Sequence, residues 1–403
     1  MKTNTDQETG WEFQFEPYTE HKVPSGFVLR TEVTSFWNKI FHTPAEDDHP
    51  EPAAGDLERL SDRNLERVVP EIQSDKWYQA LDKLTEVFTD QRKRGPLVIV
   101  TQPYSMLTSV IKSWAEQRNR QLVSAPELSG DLANSSNNLL PGSDWIIPDL
   151  RSWFERSPDG LQNIRALLSY IQAAASTRGI VVCSSWAWNY LDKAVGLKTF
   201  DTRAYTLRSL DAEALAGYLL GYAERATGRE VEFCNSTNGK YVLHRQTDPQ
   251  DRDKKEVQFN DLIEQLASYS RGNMTLAFRF WSNCLRTEPD TDIEESKQQE
   301  KMGNGTLTYW VIPWSEQDLP VVPAGFNWLQ NTILHTLIIH GSLDTAQFSR
   351  LLPHTEDERN RAFADLEQHE LVETRNDRYR VAMEAYPAVR QHLAQNGFLT
   401  DKF

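Results

Sequence analysis

The sequence predicts a parallel α/β domain, a mostly helical middle segment, and a C-terminal module of three helices with a β-hairpin. Three observations point there. Short, uninterrupted apolar runs near residues 97, 121, 145 and 180 alternate with helix-period segments, the pattern of a parallel sheet covered on both faces. Residues 201–305 read mainly as helix. Residues 306–403 carry three successive helix signatures and then two short strands about a turn.

Taken in order, WEFQFEPY near the N-terminus alternates large apolar and polar residues, as an edge strand or docking arm does. Residues 43–75 hold ten acids and three arginines, so the first half reads as an acidic linker and 1–74 as an arm plus linker. Trp77, Leu81, Leu84 and Phe88 recur on one helical face. Leu97-Val98-Ile99-Val100 is a buried strand introduced by Gly95-Pro96, and MLTSVIKSWAEQR is the helix after it. A strand follows at Gln121–Ala125, and another at Trp145-Ile146-Ile147 ends at Pro148-Asp149. Leu161, Ile164, Leu167, Leu168 and Ile171 stripe the next helix, and Gly179–Ser184 is the fourth strand. These elements place the α/β core at 75–200.

In 201–305, LDAEALAGYLLGYAERATG starts at Leu210-Asp211 and stops at Gly228. NSTNGKYVLHRQTDPQDRDKK reads as a hairpin or loop insertion, and two further helices follow it. Residues 287–301, with six acids and two lysines, read as a charged loop. In 306–403, TLTYWVIPW is strand-like and FNWLQNTILHTLIIHG is an apolar helix. Ser342 is a candidate N-cap, and Thr355 and Glu358 have capping-box spacing. Three helices and a hairpin over Arg375–Val381 form a winged-helix module.

Composition bounds the function. The chain has 403 residues, 43 Lys+Arg against 58 Asp+Glu and a net charge of −15. No apolar run reaches the ~18–20 residues that cross a bilayer. The start, MKTNTDQETGWEF, lacks a secretory apolar region. Cys183, Cys234 and Cys284 are odd in number and far apart, which fits a reducing, cytoplasmic setting. No GxSxG, HExxH or CxxC occurs, and His335 and His340, five residues apart, share a helix face too poorly for a metal pair.

The order of parts, with GPLVIV, DWIIPDLRSWFE, GIVVCSSWAWNYL and SRGNMTLAFRFW, resembles the AAA+/STAND superclass of P-loop ATPases over residues 75–403. The likeness is to the initiator-like branch. It implies a core, a helical lid over 201–305 and a winged helix. It also implies an ATP site with a GxxxxGK[ST] loop, whose glycines let backbone N–H groups wrap the phosphates while the lysine pairs with them.

That loop is degenerate here. Residues 100–110 read VTQPYSMLTSV, without glycine or lysine. Leu107 falls at the lysine position and Thr108 at the Mg²⁺-hydroxyl position, while Lys112 lies a turn too far on. The resemblance therefore marks a degenerate nucleotide site at Thr101, Gln102, Leu107, Thr108, Asp149 (Walker-B position) and Ser184 (sensor-1 position). Glu155 reads as a solvated helix acid, and Thr275 stands where the family often places a sensor arginine. Arg156 and Arg178 are the arginine-finger candidates. No catalytic residue, no metal and no cofactor are expected, ATP with Mg²⁺ being the open exception.

A winged helix also raises DNA. The candidate recognition helix opens Thr355-Glu356-Asp357-Glu358, and residues 326–403 hold eleven acids against eight Arg+Lys. Major-groove reading needs donors such as Arg, Lys, Asn or Gln at that turn. Arg359, Arg361, Arg375, Arg378 and Arg380 are the candidates for contact with a partner or with DNA. The sequence thus predicts a regulatory or binding scaffold with a protein partner. An ATP-dependent switch, a DNA-binding regulator and a homo-oligomer stay open.

Overall fold

A computed structural model of the chain describes residues 13–19, 21–24, 57–70, 74–90, 95–125, 144–157, 159–173, 179–197, 203–247, 255–288 and 305–403. Most of the two acidic tracts lies outside these residues, as do Trp11, Trp37, His42, His49 and Arg178.

The elements run β1 (Phe15–Pro17), β2 (Glu58–Arg59), α1 (Asp62–Val68), α2 (Ser74–Asp90), β3 (Leu97–Thr101), α3 (Leu107–Gln117), β4 (Gln121–Leu122) and β5 (Trp145–Ile147). Then come a 3-10 turn (Leu150–Trp153), α4 (Gln162–Ala173), β6 (Ile180–Ser184), α5 (Ser185–Val195), β7 (Arg203–Leu207) and α6 (Ala212–Thr227). Next are β8 (Val231–Asn235), β9 (Tyr241–Thr247), β10 (Lys255–Phe259), α7 (Asp261–Tyr269), α8 (Met274–Cys284), β11 (Leu285–Thr287) and β12 (Leu307–Val311). The chain closes with α9 (Trp328–His340), α10 (Thr345–Leu351), α11 (Glu356–Gln368), β13 (Val372–Arg375), β14 (Arg378–Val381) and α12 (Tyr386–Gln395).

The described fold falls into two compact units. One holds residues 12–22, 73–208 and 319–403. Its sheet has the order β1-β7-β3-β6-β5-β4. β3 through β7 are mutually parallel, and β1 adds antiparallel at the β7 edge. Every residue of β3, β5 and β6 is buried, which is why these strands read as unbroken apolar runs. β7 escaped the sequence reading, which ended the core at 200. Only Thr206 of its five residues is buried, so RAYTL shows no apolar run. β1 takes the edge-strand place on β7: Phe13 stacks on Trp77 with ring centroids 4.3 Å apart, and Tyr18 and His21 meet Phe403.

The same unit contains the winged helix. α9 is buried from Gln330 to His340, so it forms the centre of the module rather than an amphipathic face. α11 starts with the expected Thr355–Glu358 capping box. α10 is capped by Asp344 with Gln347, not by Ser342, because Asp344 reaches the backbone N–H of Gln347 at 2.8 Å. β13 and β14 form the wing.

The other unit holds the remaining elements and covers 209–318 with part of the N-terminal segment. Its sheet has the order β10-β9-β8-β12-β11-β2. The expected helices α6, α7 and α8 are present, and α6 runs from the Asp211 cap to Gly228 at φ 68°. The segment expected as a hairpin or loop insertion, residues 235–255, supplies β9, which pairs antiparallel with β8 before it and β10 after it. The strand expected to open the winged helix, β12, instead pairs parallel with β8. Tyr309, Trp310 and Val311 are buried there, a sandwiching that an isolated lead-in strand would not provide.

Gly179 marks the tightest packing in the parallel sheet. A β-carbon on it would sit 2.1 Å from the Trp145 indole. Gly179→Ala should therefore cost about 1–3 kcal/mol in urea unfolding, as overpacking does. Gly217→Ala, inside α6 with open space around it, should gain roughly 0.5–1 kcal/mol.

Candidate functional site

Parallel α/β sheets bind ligands beyond the C-terminal ends of their strands. In this chain β3, the loop 102–106, the start of α3 and the segment after β5 meet there, and the winged helix packs onto them. Tyr104 occupies the centre of the loop with φ 63°, a left-handed conformation uncommon for an aromatic residue and natural for the glycine a phosphate cradle would use. Its hydroxyl donates to the Val381 carbonyl of β14 at 2.8 Å, and its ring lies 5.3 Å from that of Tyr386. Burial pushes the Tyr104 phenol well up, so it stays a neutral donor.

Asp149 caps the 3-10 turn by accepting from the backbone N–H of Arg151 at 3.0 Å. Both its carboxylate oxygens also accept from the Arg151 guanidinium, Nε to Oδ1 at 2.9 Å and Nη2 to Oδ2 at 2.7 Å. The guanidinium in turn lies against Gly341, at φ 79°, where an added β-carbon would meet Nη1 at 2.2 Å. Glu155 corrects the sequence reading. It is a buried residue, not a solvated acid, and its carboxylate accepts from Arg350 of α10 at 2.5 Å.

Arg156, one finger candidate, donates to His335 Nδ1 at 3.0 Å. His335 Nε2 lies 2.9 Å from the Leu399 carbonyl. An arginine has no acceptor and a carbonyl no donor, so these two contacts require the neutral imidazole with its proton on Nε2. The C-terminal segment completes the attachment. Asp401 accepts from Ser185 Oγ at 2.6 Å and from Arg390 Nε at 3.0 Å, and Asn189 donates to the Thr400 carbonyl at 2.5 Å. The Trp186 indole N–H donates to the Tyr386 hydroxyl at 3.0 Å.

Beside the Tyr104 and Asp149–Arg151 contacts lies a partly open cavity of about 620 Å³, lined among others by Tyr104, Thr108, Asp149, Arg151, His340 and Arg380. Of the expected nucleotide-site residues, Thr108 and Asp149 line it. Thr101 and Ser184 are buried register partners on β3 and β6, and Ser184 Oγ has no partner among the described residues. Leu107 is buried in the core at the head of α3, Gln102 is half-buried, and Lys112 is exposed on α3. In the other unit, Thr275 is the second residue of α8, its backbone N–H capped by Asn273. Among the described residues no group of three or more His, Cys, Asp or Glu is placed to hold a metal.

The five candidate arginines divide. Arg359 is buried and donates to the His354 carbonyl and, at 2.9 Å, to Ser349 Oγ, so it braces the module instead of meeting a partner. Arg378 bonds Ser342, Asp344 and Gln347, and with Arg380 lines the cavity. Arg361 and Arg375 are exposed. Tyr104, Arg151, Arg350 and Asp401 were not candidates by sequence, and Ser185 stood only beside Ser184 at the sensor-1 position. Tyr104, Arg350 and Asp401 have partners 277, 195 and 216 residues away, which no local pattern encodes.

No protein-family model and no curated protein matches the chain. Solved structures do match it. A RuvB variant from Thermotoga maritima matches over 82% of this chain and 99% of its own, at 15% identity and a TM-score of 0.31. Cdc6p from Pyrobaculum aerophilum matches over 84% and 99%, at 12% identity and 0.29. ORC2 from Aeropyrum pernix, in its ADP form, matches over 86% and 100%, at 11% identity and 0.29. What the structure itself shows is a parallel α/β sheet with crossover helices and, in the same unit, a C-terminal winged helix, the fold class expected from the sequence. No described helix is long and apolar enough to cross a membrane.

Two measurements probe the attachment of the winged helix. The Asp401 side chain is fully buried between Ser185 and Arg390. Asp401→Ala leaves both without their acceptor and should cost about 3–5 kcal/mol in denaturant unfolding. Burial, followed by the nearby Arg156 charge, holds the His335 imidazole down at about 4 against an ordinary 6.5. Burial with Arg151 and Arg156 takes His340 to about 3. Below pH 6.5 the unfolded chain therefore binds protons that the folded chain refuses. Stability is full at neutral pH and should fall as pH drops from about 6.5 toward 4. Melting temperatures from pH 7.5 to 5 should trace this, and His335→Gln should flatten the slope.

Proposed function

We propose that this chain is a catalytically degenerate AAA+-like protein that acts as a binding or regulatory scaffold through protein–protein contacts. One observation carries the reading: the loop where a phosphate cradle would stand is bonded to the wing, through the Tyr104 hydroxyl on the Val381 carbonyl. Three features support it. The loop has no glycine or lysine to wrap and neutralise a triphosphate. Both oxygens of Asp149 are engaged by Arg151, so a Mg²⁺ ion would have to displace a guanidinium. The attraction left from the α3 N-terminus is worth on the order of 1 kcal/mol, too little for useful ATP affinity.

The outer surface of the winged helix favours a protein partner over DNA. Glu356, Asp357 and Glu358 open α11 on its exposed side, while Arg359 points its charge inward. At the start of α9, Trp328 is 67% exposed and stacks on Phe398 with ring centroids 5.1 Å apart. Exposed tryptophan is typical of interface hot spots.

Calorimetric titration of the full chain with Mg-ATP should give no saturable heat at millimolar nucleotide. Saturable binding with turnover would overturn the proposal. Leu107→Lys should not create hydrolysis, since the glycines are missing as well. In a gel-shift series the intact chain should not retard duplex DNA at physiological salt; a shift that weakens steeply with salt would favour the DNA-binding reading.

A further inference from the structure

The cavity between the 102–109 region and the wing has a chemistry of its own. Two carboxylates line it, and both are already spent: Asp149 on Arg151 and Glu155 on Arg350. What remains unspent includes several groups able to donate. Arg380 uses only Nε, on Glu373 at 2.6 Å, and its two terminal nitrogens have no partner among the described residues. The same holds for the hydroxyls of Thr108 and Ser109 and for the Gln347 amide nitrogen, all on the lining. His340 also lines the cavity, and its Nε2 is buried with no partner. Buried polar atoms are normally satisfied, so an orphan of this kind marks a place for a ligand, and the unspent guanidinium nitrogens of Arg380 beside it call for an acceptor.

We infer that this cavity binds a small acceptor-rich oxyanion, a phosphate- or carboxylate-bearing metabolite, held chiefly by Arg380 of the wing. The holder differs from an ATP cradle. It is an arginine of the winged helix, opposite a loop that has neither glycine nor lysine, and it belongs to a pocket that the winged helix itself completes. A volume near 620 Å³ exceeds what a bare phosphate fills and suits a small metabolite anchored by one anionic group. Formal charge is balanced around the lining, four arginines (Arg151, Arg350, Arg378, Arg380) against Asp149, Glu155, Asp344 and Glu373. Affinity thus comes from directed charge-assisted hydrogen bonds and not from net field, which sets it at roughly 0.1–1 mM. Because the ligand touches both the core loop and the wing, it tightens the attachment of one to the other. The inference rests on the reading that the pocket no longer serves Mg-ATP.

The test uses the full chain at constant ionic strength. Inorganic phosphate and citrate are titrated separately while melting temperature and heat of binding are followed. At least one should give a saturable rise in melting temperature, and which one does so separates a phosphate anchor from a carboxylate anchor. Arg380→Gln should weaken that binding tenfold or more. Thr108→Val, which removes only a hydroxyl, should weaken it about threefold. Arg165→Gln, exposed on α4 outside the cavity, should leave it within twofold. Absence of saturable binding by both anions overturns the inference, as does equal binding by the Arg380 and Arg165 variants. Should Arg380→Gln fail to fold, unchanged binding by Thr108→Val overturns it instead. Mg-ATP turnover in the same preparation would sink the scaffold reading, and an anion effect that persists through Arg380 would then stand separately.

Discussion

A single hydrogen bond sets the terms for the region around the parallel sheet's C-terminal edge: the Tyr104 hydroxyl on the Val381 carbonyl. A tyrosine at φ 63° carries backbone strain of about 1–3 kcal/mol, and it persists only where surroundings over-determine it. Here the surroundings are the wing and the Tyr386 ring. One residue thereby ties the loop 102–106 to the winged helix. Loop conformation, cavity shape and wing position cannot vary independently.

Around that contact the attachment is polar as much as apolar. Glu155–Arg350, Arg156–His335 and Ser185–Asp401–Arg390 each join the core to the C-terminal module. The buried ion pair among them, Arg390–Asp401, adds little net stability over an apolar contact of the same shape, because desolvation offsets most of the attraction. Losing one partner is costly, however, so they define one docked geometry. The histidine tautomer is part of the same constraint. A protonated His335 would turn an N–H toward the Arg156 guanidinium, a conflict that adds to burial, the main cause of its lowered pKa.

How much was legible in the sequence follows from what each residue's neighbours were. β3, β5 and β6 were readable because they are buried on both faces, which demands an unbroken apolar run. β7 was not, since β1 pairs along its side and most of its residues are only partly covered. Residues 235–255 were taken for a hairpin or loop insertion because the partner that draws β8 into a larger sheet, β12, lies far away in the chain. At the site, Asp149 as a cap was readable from Pro148-Asp149-Leu150, while Glu155 was misread. Its burial depends on Arg350, 195 residues later, and no local rule signals that.

By itself the sequence determined the kind of fold and the absence of glycine and lysine from residues 100–110. Hydrophobic period is a local property, and a missing lysine or glycine is missing in any conformation. Only the tertiary structure decided what surrounds that loop. It brought the wing onto the loop, turned Arg359 inward, engaged Asp149 with Arg151, and left Arg380 with unspent donors over a cavity. Those outcomes depend on distances between residues far apart in the chain, and such distances exist only once the sheet and the winged helix have packed.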